Sequence, residues 1–124
     1  HFIRIHLYKM YICDMYSKEL TKGTLQPIIL KLINEKGRMY GYEITQEVKT
    51  MTSGKIDISE GALYPILHKL EAKKVLETEK VFIGKRVRKY YKVTKEGKKM
   101  VETVTEEIND FIETLNLIFN PKPI

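Results

Sequence analysis

The sequence predicts a mainly α-helical chain with a small β-hairpin and a long C-terminal helix. Three observations carry this. Between Thr21 and Glu71, three short stretches repeat apolar residues at three- and four-residue spacing, the period of a helix with one buried face. Residues 75–94 are instead rich in Val, Phe, Ile and Tyr and are broken by Gly84-Lys85, as in two strands joined by a tight turn. Beyond them, Val101, Val104, Ile108, Phe111, Ile112, Leu115, Ile118 and Phe119 keep the helical spacing almost to the last residue.

Composition narrows the function classes. A chain of 124 residues suits one domain. No apolar run approaches the roughly 18 residues a membrane span needs, so no membrane partner is expected. Cys13 is the only cysteine, which permits no internal disulfide and fits a reducing cytosol. The net charge is +6, and its distribution is uneven: residues 55–99 hold 13 Lys and Arg against 6 Asp and Glu, whereas residues 100–124 hold 1 against 5. A basic middle favours a polyanion partner, and an acidic end favours a different task. His1, His6 and His68 lack metal-ligand spacing, and no phosphate loop or nucleophile motif is present. Neither an enzyme nor a cofactor or metal is expected.

In chain order, residues 1–14 are strongly apolar and read as an N-terminal extension or an added segment ahead of a start at Met15. The first helix carries Leu25, Ile28, Ile29, Leu32 and Ile33 on one stripe, tolerates Pro27 near its start and stops at Gly37. A second follows Tyr40-Gly-Tyr-Glu-Ile44 with Ile44, Val48 and Met51 inward, and ends at Ser53-Gly54. The third is capped by Ser59 and buries Leu63, Ile66, Leu67 and Leu70. Its opposite face holds Gly61, Tyr64, Pro65 and His68, edged by Glu60 and Lys69. Small, aromatic and imidazole side chains suit contact with another surface better than plain solvent, and the free amides of the first turn attract phosphate. Pro65 costs a helical hydrogen bond and crowds the carbonyl of Gly61, where a glycine eases the strain. Three short helices in about fifty residues, the third soon after the second, outline a helix-turn-helix.

Gly84 first in a two-residue loop predicts a type II′ turn. The register then pairs Leu76 with Val93, Thr78 with Tyr91 and Phe82 with Val87 on a core face, and Glu77 with Lys92 and Glu79 with Tyr90 on the other. Lys80 meets Lys89, and with Lys85, Arg86 and Arg88 these make the outer half of the hairpin cationic. A solvated tip is one reading of such a charge run. Its place directly after a recognition-like helix favours phosphate or groove contact.

Thr94 caps the last helix, and Pro121 and Pro123 stop it. About 24 helical residues span roughly 36 Å, more than a core of this size covers, so part of the stripe projects. Five such residues left in water forgo on the order of 10 kcal/mol. Pairing of two chains is expected; the alternative is that the stripe packs within its own chain or on residues 1–14.

Four blocks in order, Gly23-Thr-Leu-Gln-Pro-Ile-Ile-Leu30, Tyr40-Gly-Tyr-Glu-Ile44, Ser59-Glu-Gly-Ala-Leu-Tyr-Pro-Ile-Leu67 with Leu70-Glu71, and Arg88-Lys-Tyr-Tyr-Lys-Val-Thr94 with Gly97, resemble the PadR-type transcriptional regulators. The short C-terminal part resembles the family's single-helix branch, and Ala62 stands where many relatives carry Thr. The resemblance implies a winged helix-turn-helix over residues 15–96, a dimerisation helix over 97–120 and a tail at 121–124. It also implies a cytoplasmic homodimeric repressor on double-stranded, palindromic operator DNA, released by a small-molecule effector. With no Trp, the tryptophan stacking that some relatives use on planar compounds cannot operate.

Joined, the two lines of argument place the helix from Ser59 in a major groove, with Ser59 and the Gly61 amide on phosphate and Tyr64, His68 and Lys69 facing bases or backbone. Lys85, Arg86 and Arg88 then meet flanking backbone or the minor groove, and by family analogy Tyr40 meets a phosphate. Val104, Ile108, Phe111, Ile112, Leu115, Ile118 and Phe119 form the dimer interface, which spaces the two reading helices by about 34 Å. The alternative function is a protein-interaction module that docks on an acidic partner.

Overall fold

Side chains that cap the helices divide the chain. In the computed structural model, which describes residues 16–123, Ser17 accepts a hydrogen bond from the Leu20 amide at 3.2 Å and opens a one-turn helix, α1 (Lys18–Thr21). The expectations for residues 1–14, with His1, His6 and Cys13, lie outside the described residues. A tight turn over Lys22–Thr24 leads into α2 (Leu25–Lys36), which ends where the Gly37 amide returns to the Ile33 carbonyl at 2.9 Å. A two-residue strand β1 (Met39–Tyr40) passes straight into α3 (Gly41–Met51). Ser59 then caps α4 (Glu60–Ala72), its hydroxyl accepting from the Ala62 amide at 3.2 Å. The helix runs through Pro65, as the glycine four residues back allows.

The end of α4 is a Schellman turn. The Val75 amide reaches the Leu70 carbonyl at 2.9 Å and the Lys74 amide the Glu71 carbonyl at 3.0 Å, with Lys74 left-handed at φ +61°. Strands β2 (Leu76–Ile83) and β3 (Arg86–Val93) follow in the expected register, Leu76 opposite Val93, Thr78 opposite Tyr91 and Phe82 opposite Val87. Gly84 alone in the loop has positive φ, at +63°, which makes the turn type II′ rather than I′. The hairpin is joined by β1 on its far edge, giving the antiparallel order β1-β3-β2. This third strand escapes a sequence reading because two residues cannot show an alternation.

The core lies between the helices and one face of the sheet: Ile29, Leu30 and Ile33 from α2, Ile44 and Val48 from α3, Leu63, Leu67 and Leu70 from α4, and Leu76 and Tyr91 from the sheet. Three expected core residues are outside it. Met51 is 64% exposed, because it lies in the last turn of α3, one turn beyond Val48. Phe82 and Val87 are 73% and 54% exposed although they share a sheet face with Leu76 and Tyr91. The hairpin outruns the helix it packs on, and its last side-chain bonds to α4 are those of Thr78 and Lys89 with Glu71.

Helices α3 and α4 approach closely where Gly41 faces the Tyr64 ring. A Cβ on Gly41 would lie 2.5 Å from the Tyr64 hydroxyl oxygen, so only glycine permits this approach. Helix α5 (Gly97–Phe119) is tied down in a similar way. The Thr94 hydroxyl donates to the Lys74 carbonyl at 2.7 Å and accepts from the Gly97 amide at 2.9 Å, and a Cβ on Gly97 would strike the Val75 carbonyl. Val101 is buried and Met100, Val104 and Ile108 are half-buried, the first half of α5 packing on α2. From Asn109 onward every described residue is exposed, Phe111, Ile112, Leu115, Ile118 and Phe119 included. The stripe projects from the body rather than closing on the described residues of its own chain. Among those residues no helix is long and apolar enough to cross a membrane.

Two substitutions test these close approaches in urea denaturation. Gly97→Ala is expected to cost about 1–3 kcal/mol, because the obstacle is a backbone carbonyl, whereas Gly23→Ala, with nothing within 4 Å, is expected to be near neutral. Gly41→Ala is expected to cost a similar amount, and part of that loss should return in Gly41→Ala/Tyr64→Leu, which removes the ring.

Candidate nucleic-acid interface

Three groups of side chains stand on the outer surface of the α4 and hairpin unit. The first is the start of α4. Ser59 and Gly61 are exposed, and a Cβ on Gly61 would meet only the Ser59 hydroxyl, at 3.9 Å. Gly61 therefore faces open space. The Ser59 hydroxyl is engaged with the Ala62 amide, while the Glu60 and Gly61 amides bond to nothing among the described residues. These are the orphan donors of a helix start, with the positive end of its dipole. The Glu60 carboxylate at the same end opposes that positive field.

Farther along α4, His68 and Lys69 are exposed and Tyr64 is half-buried. Tyr64 divides its ring between two neighbours, Gly41 beneath and His68 beside it at 6.1 Å between centroids. Its position is set by packing, and only its uncovered edge points outward.

The second group is the hairpin tip. Lys80, Lys85 and Arg86 are exposed, and none forms an ion pair among the described residues. Lys89, on the same strand, is occupied: its ammonium lies 3.4 Å from Glu71 and 5.3 Å from the Tyr91 ring centre. Burial works against that charge, but Tyr91 and Glu71 outweigh it and leave the Lys89 pKa raised.

The third group is a layer on the outer face of the sheet. Arg88 stacks over the Tyr40 ring at 4.1 Å, Tyr40 meets Tyr90 edge to face at 5.4 Å, and Arg38 lies over Tyr90 at 4.4 Å while pairing with Glu79 at 2.7 Å. Each contact links a cation to a ring face or a ring to a ring edge, so the order of the layer follows from quadrupole geometry. The Arg88 pKa is raised, chiefly through side-chain hydrogen bonding with Tyr90; desolvation opposes this, and the fields of Tyr40, Tyr90 and Glu43 support it. Arg88 and Tyr40 thus share one spot on the sheet, with the guanidinium edge left for a further acceptor. Arg38 and Tyr90 were missed in the sequence. Tyr90 lies two residues from Arg88 and so on its face, a signal that was available; Arg38 depends on β1, which had none.

The chain matches, over residues 29–103, the family described as the transcriptional regulator PadR-like family. It is 38% identical over 106 residues to an uncharacterized protein of Lysinibacillus sphaericus, covering 83% of this chain and 94% of that one. Its fold superposes on a transcriptional regulator from Clostridium thermocellum with a TM-score of 0.76 at 27% identity, covering 86% of this chain and 100% of the other. It also superposes on Bacillus subtilis PadR, solved in complex with operator DNA, with a TM-score of 0.57 at 25% identity, covering 81% of this chain and 49% of that longer one. The neighbours are winged-helix regulators, and the hairpin described above is the wing of that fold. With the family match spanning more than half of its residues, this chain belongs to the PadR-like family of transcriptional regulators.

Proposed function

We propose that the protein is a homodimeric repressor that binds palindromic operator DNA in the cytoplasm and is released by a small-molecule effector. One observation carries the DNA reading: three cations without carboxylate partners among the described residues, Lys80, Lys85 and Arg86, sit on a hairpin pinned by Glu71 to a helix whose first amides are open among those residues. The operator complex of Bacillus subtilis PadR supports the same reading. Helix α4 enters the major groove by its start, with the Ser59 and Gly61 region on phosphate and His68, Lys69 and the outer edge of Tyr64 toward the bases. The tip reaches the flanking backbone through Lys85 and Arg86. Arg88, held flat on Tyr40, offers phosphate only its N–H edge, and Tyr40 supports it from below.

The exposed half of α5 supports pairing. Phe111, Ile112, Leu115, Ile118 and Phe119 stand free of their own fold, and a second copy that covers them buries both stripes at once. Val104 and Ile108, half-buried against α2, mark where the intramolecular contact gives way to the intermolecular one. How the paired helices cross sets the gap between the two α4 helices, and an effector that alters that crossing moves one reader off its groove.

Two measurements test this. Arg86→Ala should weaken binding to operator and random DNA alike, and should flatten the plot of log affinity against log salt by about one unit. An unchanged slope, or equal affinity of the native protein for operator and random DNA, would favour an acidic protein as partner. Leu115→Glu should convert the dimer to a monomer in sedimentation equilibrium and reduce operator affinity about 100-fold, the order lost when two linked half-site contacts become one.

A further inference from the structure

The tip of the hairpin carries more than charge. The Lys80–Lys89 pair is the last with a side-chain bond to α4, through Glu71, and the pairs Val81–Arg88, Phe82–Val87 and Ile83–Arg86 lie beyond it. At about 3.3 Å per residue, the overhang is roughly 10 Å. Phe82 and Val87 face each other across the strands, on the side that carries Leu76 and Tyr91 farther down, and both are exposed. A cross-strand pair of an aromatic and a β-branched residue strengthens a hairpin, and Thr–Val would serve that purpose without leaving a phenyl ring in water. From Lys80 to Lys92 the chain has six Lys and Arg and no Asp or Glu. Lys89 and Lys92 pair with Glu71 and Glu77, but Lys80, Lys85 and Arg86 around the apolar edge have no carboxylate partner among the described residues. Such an edge matches a polyanion that also offers an apolar cleft, and the minor groove of a duplex, about 6 Å wide between two phosphate walls, is such a surface.

Resting on the DNA-binding reading above, we propose that Phe82 with Val87 forms an apolar blade that the wing presses into the minor groove beside each half-site, where it partly unstacks one base step. Lys85 and Arg86 grip the phosphates on the groove walls while the ring takes the floor. Because unstacking is cheapest at flexible pyrimidine–purine steps, the blade reads DNA deformability at a position that no hydrogen bond contacts. The protein therefore selects sequence outside the bases faced by α4.

The test uses the full dimer and duplexes recovered from a random library by the native protein, each remade with either a TpA step or a G-tract in the flank and with 2-aminopurine at that step. The native protein should prefer the TpA duplex roughly tenfold, within the range that one altered base pair costs, and should raise the 2-aminopurine fluorescence. Phe82→Leu should keep both effects. Phe82→Thr, which keeps strand propensity, should lose both with its thermal midpoint and salt slope unchanged. Indifference of the native protein to the flanking step, or a Phe82→Thr variant that retains the preference, would overturn the blade while leaving operator binding intact. A library that yields no preferred duplex would overturn the DNA-binding reading itself, and the blade with it. If Phe82→Thr leaves DNA affinity unchanged but abolishes binding to vesicles of anionic phospholipid, or converts the dimer to monomer, the tip serves a membrane or a second copy and the inference fails.

Discussion

The contact between Gly41 and Tyr64 constrains the surface that α4 presents. A tyrosine ring takes the space where a side chain on α3 would stand, and α4 lies against α3 at the distance that ring allows. The same ring meets His68 one turn later, so a single residue sets both the tilt of α4 and the place of its neighbour. Helix packing ordinarily leaves interaxial distance to the volume of several side chains. Here Ile44 and Val48 of α3 and Leu63 and Leu67 of α4 share the core, and Gly41 with Tyr64 adds the closest approach at the start of α3. What α4 shows to solvent, from Gly61 to Lys69, follows from that seating.

Glu71 plays the complementary part at the other end of α4. It bonds to Thr78 on β2 and to Lys89 on β3, so one side chain ties the helix to both strands of the hairpin. The wing is thereby aligned with the helix start although some 25 residues separate Ser59 from Gly84. On the sheet's other face, Arg38, Tyr90, Tyr40 and Arg88 interlock and join β1 to the hairpin through side chains as well as through the backbone ladder. Charge that looks mobile in a sequence is, at Arg38, Arg88 and Lys89, held in defined positions. At the tip, by contrast, Lys80, Lys85 and Arg86 form no ion pair among the described residues.

Much of this was legible in the residue pattern, for definite reasons. Helix spans followed from strong periodicity with caps at Ser59 and Thr94 and a stop at Gly37, and the hairpin register followed from a glycine that tolerates positive φ at one place only. The projecting half of α5 followed from its length alone, since a helix longer than the body it packs on must leave it. What failed was depth along an element. Periodicity assigns a side chain to a face but not to a distance from the centre, so Met51, Phe82 and Val87 lie on inward faces yet outside the core. On α4, Tyr64 and Gly61 share one face in the pattern, and only the neighbouring helix α3 shows that the first is seated and the second open. β1 and the Arg38 layer depend on contacts between distant residues, which no local window contains.

Thr94 joins three parts of the chain within one hydroxyl group: the turn after α4, the end of β3 and the first amide of α5. The start of α5 is therefore bonded directly to the end of β3 and to the turn after α4, through one side chain. If two copies pair through α5 as proposed above, a regulator of their span would slide or rotate one α5 against the other, along the exposed Phe111, Ile112, Ile118 and Phe119.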